Sequence, residues 1–220
     1  MSTRALRVGW RPGGLHRLAT AAGVARYRVV RADPGARALV VGLHGYGSDE
    51  RQIATLIGLD LGPVVYLAPR APLADGDGFS WFDLGIGPDG RVVPGDTGPA
   101  VQAVAAFTAA ASRAWGTRRA ALVGYSQGGA LALRAWAAGG PFDAVAAVAG
   151  GVPPVPDSVP SVPLFVGHGT LDPFTSAADV RQSVAALAAG DVTLHESAAP
   201  HVVTAEQRAA LSAWLRGRGF

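Results

Sequence analysis

Several short runs in this 220-residue chain are apolar from end to end, and that restricts the fold more than any other feature. A strand with one face in solvent alternates apolar and polar side chains, whereas a strand covered on both faces is apolar throughout. The runs "ALVVGLHG" (38–45), "PVVYLAP" (63–69), "AALVGYS" (120–126), "DAVAAVAG" (143–150) and "VPLFVGHG" (162–169) are of the second kind. "YRVVR" (27–31) and "DVTLHE" (191–196) complete the set of predicted strands. Helical patterns fall among them at about 49–58, 97–115, 127–138, 176–189 and 204–216. In the last of these, Thr204 stands three residues before Gln207 in a capping-box arrangement, and Leu211, Trp214 and Leu215 share a face that can bury. Alternation of this kind predicts an α/β fold, with a mostly parallel central sheet and helices on both faces. No repeat and no linker divides the chain, so residues 1–220 read as a single domain. Two Gly/Pro-rich stretches, 70–98 and 151–163, are long for irregular loops, and such loops often carry function.

Hydrophobic residues make up 49% of the chain, ample for a large core. All 19 basic residues are arginine, against 16 acidic ones, for a net charge of +3. The arginines are scattered (Arg37, Arg70, Arg113, Arg181), with no stripe interleaved with aromatics, so a nucleic-acid partner is not expected. Without lysine there is neither a Walker A lysine nor Schiff-base chemistry. Without cysteine there is no disulfide, thiolate nucleophile or cysteine zinc site. The opening "MSTRALRVGW" has no apolar core of a signal peptide, and no run reaches membrane-spanning length. The expectation is a soluble, cytoplasmic protein without stable membrane insertion.

"LVGYSQGGALAL" (122–133) places Ser126 between Gly124 and Gly128. With 30 glycines in the chain, G-x-S-x-G alone is weak, but here it follows an apolar strand and precedes a helical pattern. A nucleophile elbow requires that context, and its glycines give clearance where strand, turn and helix crowd together. The turn would present Oγ at the carboxyl end of the sheet, where open α/β sheets place ligands.

A serine hydroxyl needs a general base, and the base needs an orienting acid. Of the histidines after Ser126, His195 falls inside a strand pattern, so its side chain is expected in a sheet face. His168 ends a strand beside Gly169 and is expected to brace the following loop. His201, in "SAAPHVV" between the last strand and last helix, is the better base. Asp172, in the loop beyond "VGHG", fits the orienting carboxylate better than Asp143, Asp157, Asp179, Asp191 or Glu196.

With those residues in view, "LHGYGSDE", "LAPRAP", "WFDL", "GYSQGGALAL", "GHGTLDPF" and a late histidine resemble α/β-hydrolases of the phospholipase/carboxylesterase family, the group that includes acyl-protein thioesterases. The resemblance spans about 36–215. It implies an α/β-hydrolase fold without a large cap domain and a Ser126/Asp172/His201 triad. It also implies an oxyanion hole built from the backbone N–H groups of Tyr46 and Gln127, each worth about 3 kcal/mol in the transition state. The "HGYGS" turn can also cap the next helix through Ser48 or Asp49. The implied activity is that of a serine carboxylesterase on a small-molecule acyl ester, with thioesters and lysophospholipids as related substrates, in a monomer or homodimer. The rival readings are a peptidase or acyltransferase on the same scaffold, and a catalytically silent binding protein. "FTS" after "LDP", Pro200 before His201 and "AGGVPP" depart from the family pattern and bear on substrate preference.

Phe79, Trp81, Phe82 and Leu84 in the 70–98 stretch, together with Phe174, are candidates for an apolar acyl pocket. "GIGPDG" (85–90) matches a dinucleotide glycine pattern, but Pro88 interrupts it and no helix follows. His44, His168 and His201 show no metal-ligand spacing. Neither a metal nor a cofactor is expected.

Overall fold

The computed structural model describes residues 14–88 and 92–220. The opening decapeptide and the last two residues of "GIGPDG" lie outside them. The central sheet has eight strands in the order β1-β2-β4-β3-β9-β10-β11-β12. These are β1 (Leu15–Thr20), β2 (Gly23–Ala32), β3 (Ala38–Leu43), β4 (Val64–Pro69), β9 (Arg119–Tyr125), β10 (Ala144–Val148), β11 (Leu164–Gly169) and β12 (Val192–Ser197). From β4 across to β12 every pairing is parallel, while β1–β2 and β2–β4 are antiparallel. Each predicted strand is present within a few residues of its expected bounds.

Helices α1 (Glu50–Leu56), α2 (Gly98–Trp115), α3 (Gln127–Ala137), α4 (Ala177–Ala186) and α5 (Ala205–Arg216) cover both faces. The pleat of β3 shows why its run is apolar throughout. Leu39, Val41 and Leu43 join Phe107, Leu131 and Trp136 beneath α2 and α3, whereas Val40 joins Ile53, Leu211 and Leu215 beneath α1 and α5. The Thr204–Gln207 capping box at the start of α5 is formed in full.

Two features differ from the sequence reading. β1 forms an edge hairpin with β2, turning at Gly23 (φ 110°), where "LHRLAT" has too many polar residues to register as a buried strand. The 70–98 stretch is not wholly irregular. It carries two small hairpins, β5 (Leu73–Asp75) with β6 (Gly78–Ser80), and β7 (Leu84–Ile86) with β8 (Val92–Pro94). The 151–163 stretch is irregular as expected, and it is pinned by Trp136 Nε1 on the Val162 carbonyl and Ser183 Oγ on the Pro153 carbonyl.

Candidate active site

β9 runs into α3 through Ser126 alone, and the turn is tight enough to force Ser126 to φ 53°, ψ −120°. A non-glycine residue held there costs about 1–3 kcal/mol and persists only where its surroundings over-determine it. Here the Ser126 N–H donates to the Val148 carbonyl (3.0 Å), and its own carbonyl accepts from Ala130 N–H (2.8 Å). The glycines are steric necessities. A Cβ on Gly124 would lie 2.1 Å from the Gly128 carbonyl oxygen, and one on Gly128 would lie 2.4 Å from that of Leu43. Gly129 meets Gly150 in the same way, its Cβ falling 2.9 Å from the Gly150 Cα. This close approach explains the glycine after Ala149, which itself has a φ of 51°.

Three loops at the carboxyl edge of the sheet bring the predicted side chains together. His201 Nε2 stands 2.9 Å from Ser126 Oγ, and His201 Nδ1 stands 2.7 Å from Asp172 Oδ2. A carboxylate only accepts, so Nδ1 carries the proton and Nε2 is free to accept from the serine hydroxyl. The Asp172 carboxylate is 1% exposed, and its other oxygen accepts from Phe174 N–H (2.9 Å). The Asp172 loop is laced to the His201 loop by Thr170 N–H on Ser197 O and Leu171 N–H on Ala199 O. Gly169 permits that approach, since a Cβ there would lie 2.3 Å from the Ala199 oxygen.

Tyr125, which sequence reasoning passed over, fixes the histidine loop: its hydroxyl donates to the His201 carbonyl (2.9 Å). Burial, and then the nearby Asp172 charge, push the Tyr125 pKa up, so the hydroxyl stays a donor. Its place immediately before the elbow serine was the available signal.

On the other side of Ser126, the loop after β3 passes so close that a Cβ on Gly45 would lie 3.4 Å from the Ser126 Cβ. The Gly45 N–H is held by Gln52 Oε1 (2.8 Å). The Tyr46 N–H, next along, has no hydrogen-bond partner among the described residues. Gln127 N–H opens α3, in the first turn, where no intrahelical carbonyl can reach it. Asp49 caps α1, its side chain accepting from Arg51 N–H.

His44 is fully buried beneath this loop. Its Nε2 accepts from Ala71 N–H (3.1 Å), which leaves Nδ1 protonated to donate to the Gly45 carbonyl (2.8 Å). Burial lowers its pKa, consistent with a neutral ring of fixed tautomer. Glu50, which the sequence did not flag, is also fully buried. It bridges Arg70 (2.8 and 3.1 Å) and Arg28 (3.3 Å), tying α1 to β2 and to the end of β4. Burial alone would raise its pKa, but the Arg70 hydrogen bonds, a backbone N–H and the Arg70 charge together hold the carboxyl below its usual range.

Above Ser126 and His201 opens a cleft of about 450 Å³, mostly apolar. Phe82 and Leu84 line it from one side and Phe174 from the other, with the Phe174 ring edge-on to His201 at 5.0 Å. Phe79 and Trp81 do not line it. Trp81 is 4% exposed, donating Nε1–H to the His44 carbonyl and its backbone N–H to Gln127 Oε1. With Gln127 Nε2 on the Phe82 carbonyl (2.7 Å), this staples the elbow to the "WFDL" segment. Both Trp81 N–H groups are taken up by the scaffold, so Trp81 braces the elbow and does not wall this cleft. His168 is buried behind the Asp172 loop, its Nε2 without a partner among the described residues. His195 lies against a sheet face, stacked on Phe165.

The chain matches the phospholipase/carboxylesterase family over residues 25–190. No curated protein matches it. Among solved structures it is similar to the esterase PE8, at 25% identity and a TM-score of 0.71 over 84% of this chain and 98% of that one. It is similar also to a carboxylesterase from Mesorhizobium loti, at 24% identity and a TM-score of 0.72 over 92% of this chain and 99% of that one. Acyl-protein thioesterase 2 from Zea mays shares 23% identity and a TM-score of 0.68 over 87% of this chain and 98% of that one. An elbow serine at the carboxyl edge of a mostly parallel sheet, in a chain that matches over most of its length, makes this protein a serine hydrolase that belongs to the phospholipase/carboxylesterase family of α/β-hydrolases.

Proposed function

We propose that the protein is a carboxylesterase that hydrolyses small acyl esters, thioesters included, through an acyl-enzyme on Ser126. The observation that carries this reading is the continuous hydrogen-bonded chain Ser126–His201–Asp172 on the floor of an apolar cleft. His201 Nε2 takes the proton as Ser126 Oγ attacks the carbonyl carbon, and the carbonyl oxygen becomes an oxyanion. The N–H groups of Gln127, next to Ser126, and of Tyr46, next to the Gly45 that packs on Ser126, receive that charge, and neither has a partner among the described residues. Collapse breaks the bond to the leaving group, which departs with the proton from His201. Water then attacks the acyl-enzyme, giving its proton to His201, and collapse returns that proton to Ser126 Oγ as the acid leaves. Asp172 stabilises the imidazolium in both halves. Phe82 and Phe174 form the apolar walls for the acyl chain. No step calls for a metal or an organic cofactor.

Ser126→Ala is expected to lower kcat for ester hydrolysis by about 10⁶-fold and to abolish covalent labelling by a fluorophosphonate probe. Retained labelling would place the nucleophile elsewhere.

A further inference from the structure

The cleft contains a cation that the hydrolytic steps do not use. Gln127, Ala130 and Arg134 follow one another along the face of α3 that lines it, and no carboxylate side chain lines it among the described residues. Arg134 is half-buried. Its Nη1 donates to the Ala130 carbonyl (3.1 Å), and the guanidinium carbon sits 6.0 Å from the Phe82 ring centroid. Among the described residues no acidic group pairs with it. The contrast with other shielded arginines is direct: Arg28 and Arg70 close on Glu50, and Arg218 closes on Asp191. Burial lowers the Arg134 pKa with no acidic neighbour to offset it, yet a guanidinium remains charged at any physiological pH.

A half-buried, uncompensated guanidinium is costly unless something completes it, and its planar fork is suited to carboxylate or phosphate oxygens. Its bond to the Ala130 carbonyl sets its height. Ala130 is four residues beyond Ser126, a rise of about 6 Å along the helix. A short chain attached to a carbonyl at Ser126 spans that distance.

We propose that Arg134 is a specificity residue that selects esters carrying a second, anionic oxyacid group, a carboxylate or a phosphate, a few bonds from the reacting carbonyl. This rests on the esterase reading for its turnover and on the cleft alone for its binding. The bland alternative, an arginine that merely packs on Phe82, predicts no charge preference.

The test compares monoethyl succinate, glutarate and adipate with their neutral diethyl esters, following proton release at neutral pH. A phosphate arm compares 2-butyryloxyethyl phosphate with its neutral methyl ether analogue. The wild-type protein is expected to prefer one charged member by about tenfold or more in kcat/KM, as a charge-assisted hydrogen bond would give. Arg134→Gln is expected to bring that ratio to about one, with Arg134→Lys between the two. Preference in the carboxylate arm or in the phosphate arm identifies the anion, and either supports the proposal. A wild-type ratio of about one in both arms, or a ratio unchanged in Arg134→Gln, overturns it.

Calorimetry of glutarate and of ethyl phosphate with Ser126→Ala, and with Ser126→Ala/Arg134→Gln, separates binding from turnover. Binding that depends on Arg134 in a wild-type protein inert toward every ester would keep the anion site and discard the esterase reading. Neither binding nor turnover would discard both.

Discussion

At the scale of single residues, the two oxygens of Asp172 do different work. Oδ2 holds His201 Nδ1, and Oδ1 holds the backbone of Phe174, the residue whose ring stands against the imidazole. An amide in place of the carboxylate can present an N–H to Nδ1, which moves the histidine proton to Nε2 and leaves no acceptor for the serine. Asp172→Asn is therefore expected to keep the fold and lower kcat by about 10⁴-fold. Steady-state kinetics beside an unchanged melting temperature checks it. Full activity in the variant would remove Asp172 from the proton path. Phe82 and Trp81 also differ at this scale. They are neighbours in "WFDL", but the Phe82 ring faces the cleft, whereas the Trp81 ring is tied to the His44 carbonyl and its backbone N–H to Gln127 Oε1.

Among elements, the strand–Ser126–helix turn depends on absent side chains. Gly128→Ala puts a methyl 2.4 Å from the Leu43 oxygen and 2.5 Å from that of His44, both backbone atoms that cannot rotate aside. The expected cost is about 2–3 kcal/mol, read from urea unfolding, with loss of activity as the His44–Tyr46 segment is displaced. An alanine variant as stable as the wild type would mean that α3 can shift at little cost. The elements themselves were legible because buried parallel strands and capped amphipathic helices leave periodic signatures. The seven expected strands and five expected helices all appear within a few residues of their predicted bounds. β1 was not legible, because an edge strand mixes polar and apolar residues. Nor were β5 to β8, which are three residues long and held by turns. The Ser126–His201–Asp172 cluster was legible because a G-x-S-x-G turn, an aspartate and a histidine each follow a predicted strand in the sequence. Glu50 and Tyr125 were not, since their partners are distant in sequence and lack local periodicity. Arg134 looks in the sequence like any polar position on a helix.

For the whole molecule, buried histidines couple stability to pH. Burial lowers the pKa of both His44 and His168. Below the ordinary histidine value the unfolded chain takes up protons that the folded chain refuses, so stability is full above that value and falls as pH drops. The urea midpoint is expected to decline between about pH 7 and pH 5, and His168→Gln is expected to flatten the decline. An unchanged slope in the variant would exclude His168 as a contributor. Glu50, whose pKa is also depressed, adds a loss of the same sign at lower pH, where its carboxyl protonates and leaves Arg28 and Arg70 facing a neutral group.

The floor beneath Ser126 is made where main chain touches main chain, Gly124 on Gly128 and Gly129 on Gly150. Side-chain replacement elsewhere does not move such contacts. The cleft walls, by contrast, are ordinary side chains on hairpin, loop and helix. Descendants of this chain can thus exchange Leu84, Val152, Phe174 or Arg134 one at a time, changing which molecules are accepted while the reacting atoms keep their places. Diet can drift in such a lineage without the chemistry being invented again.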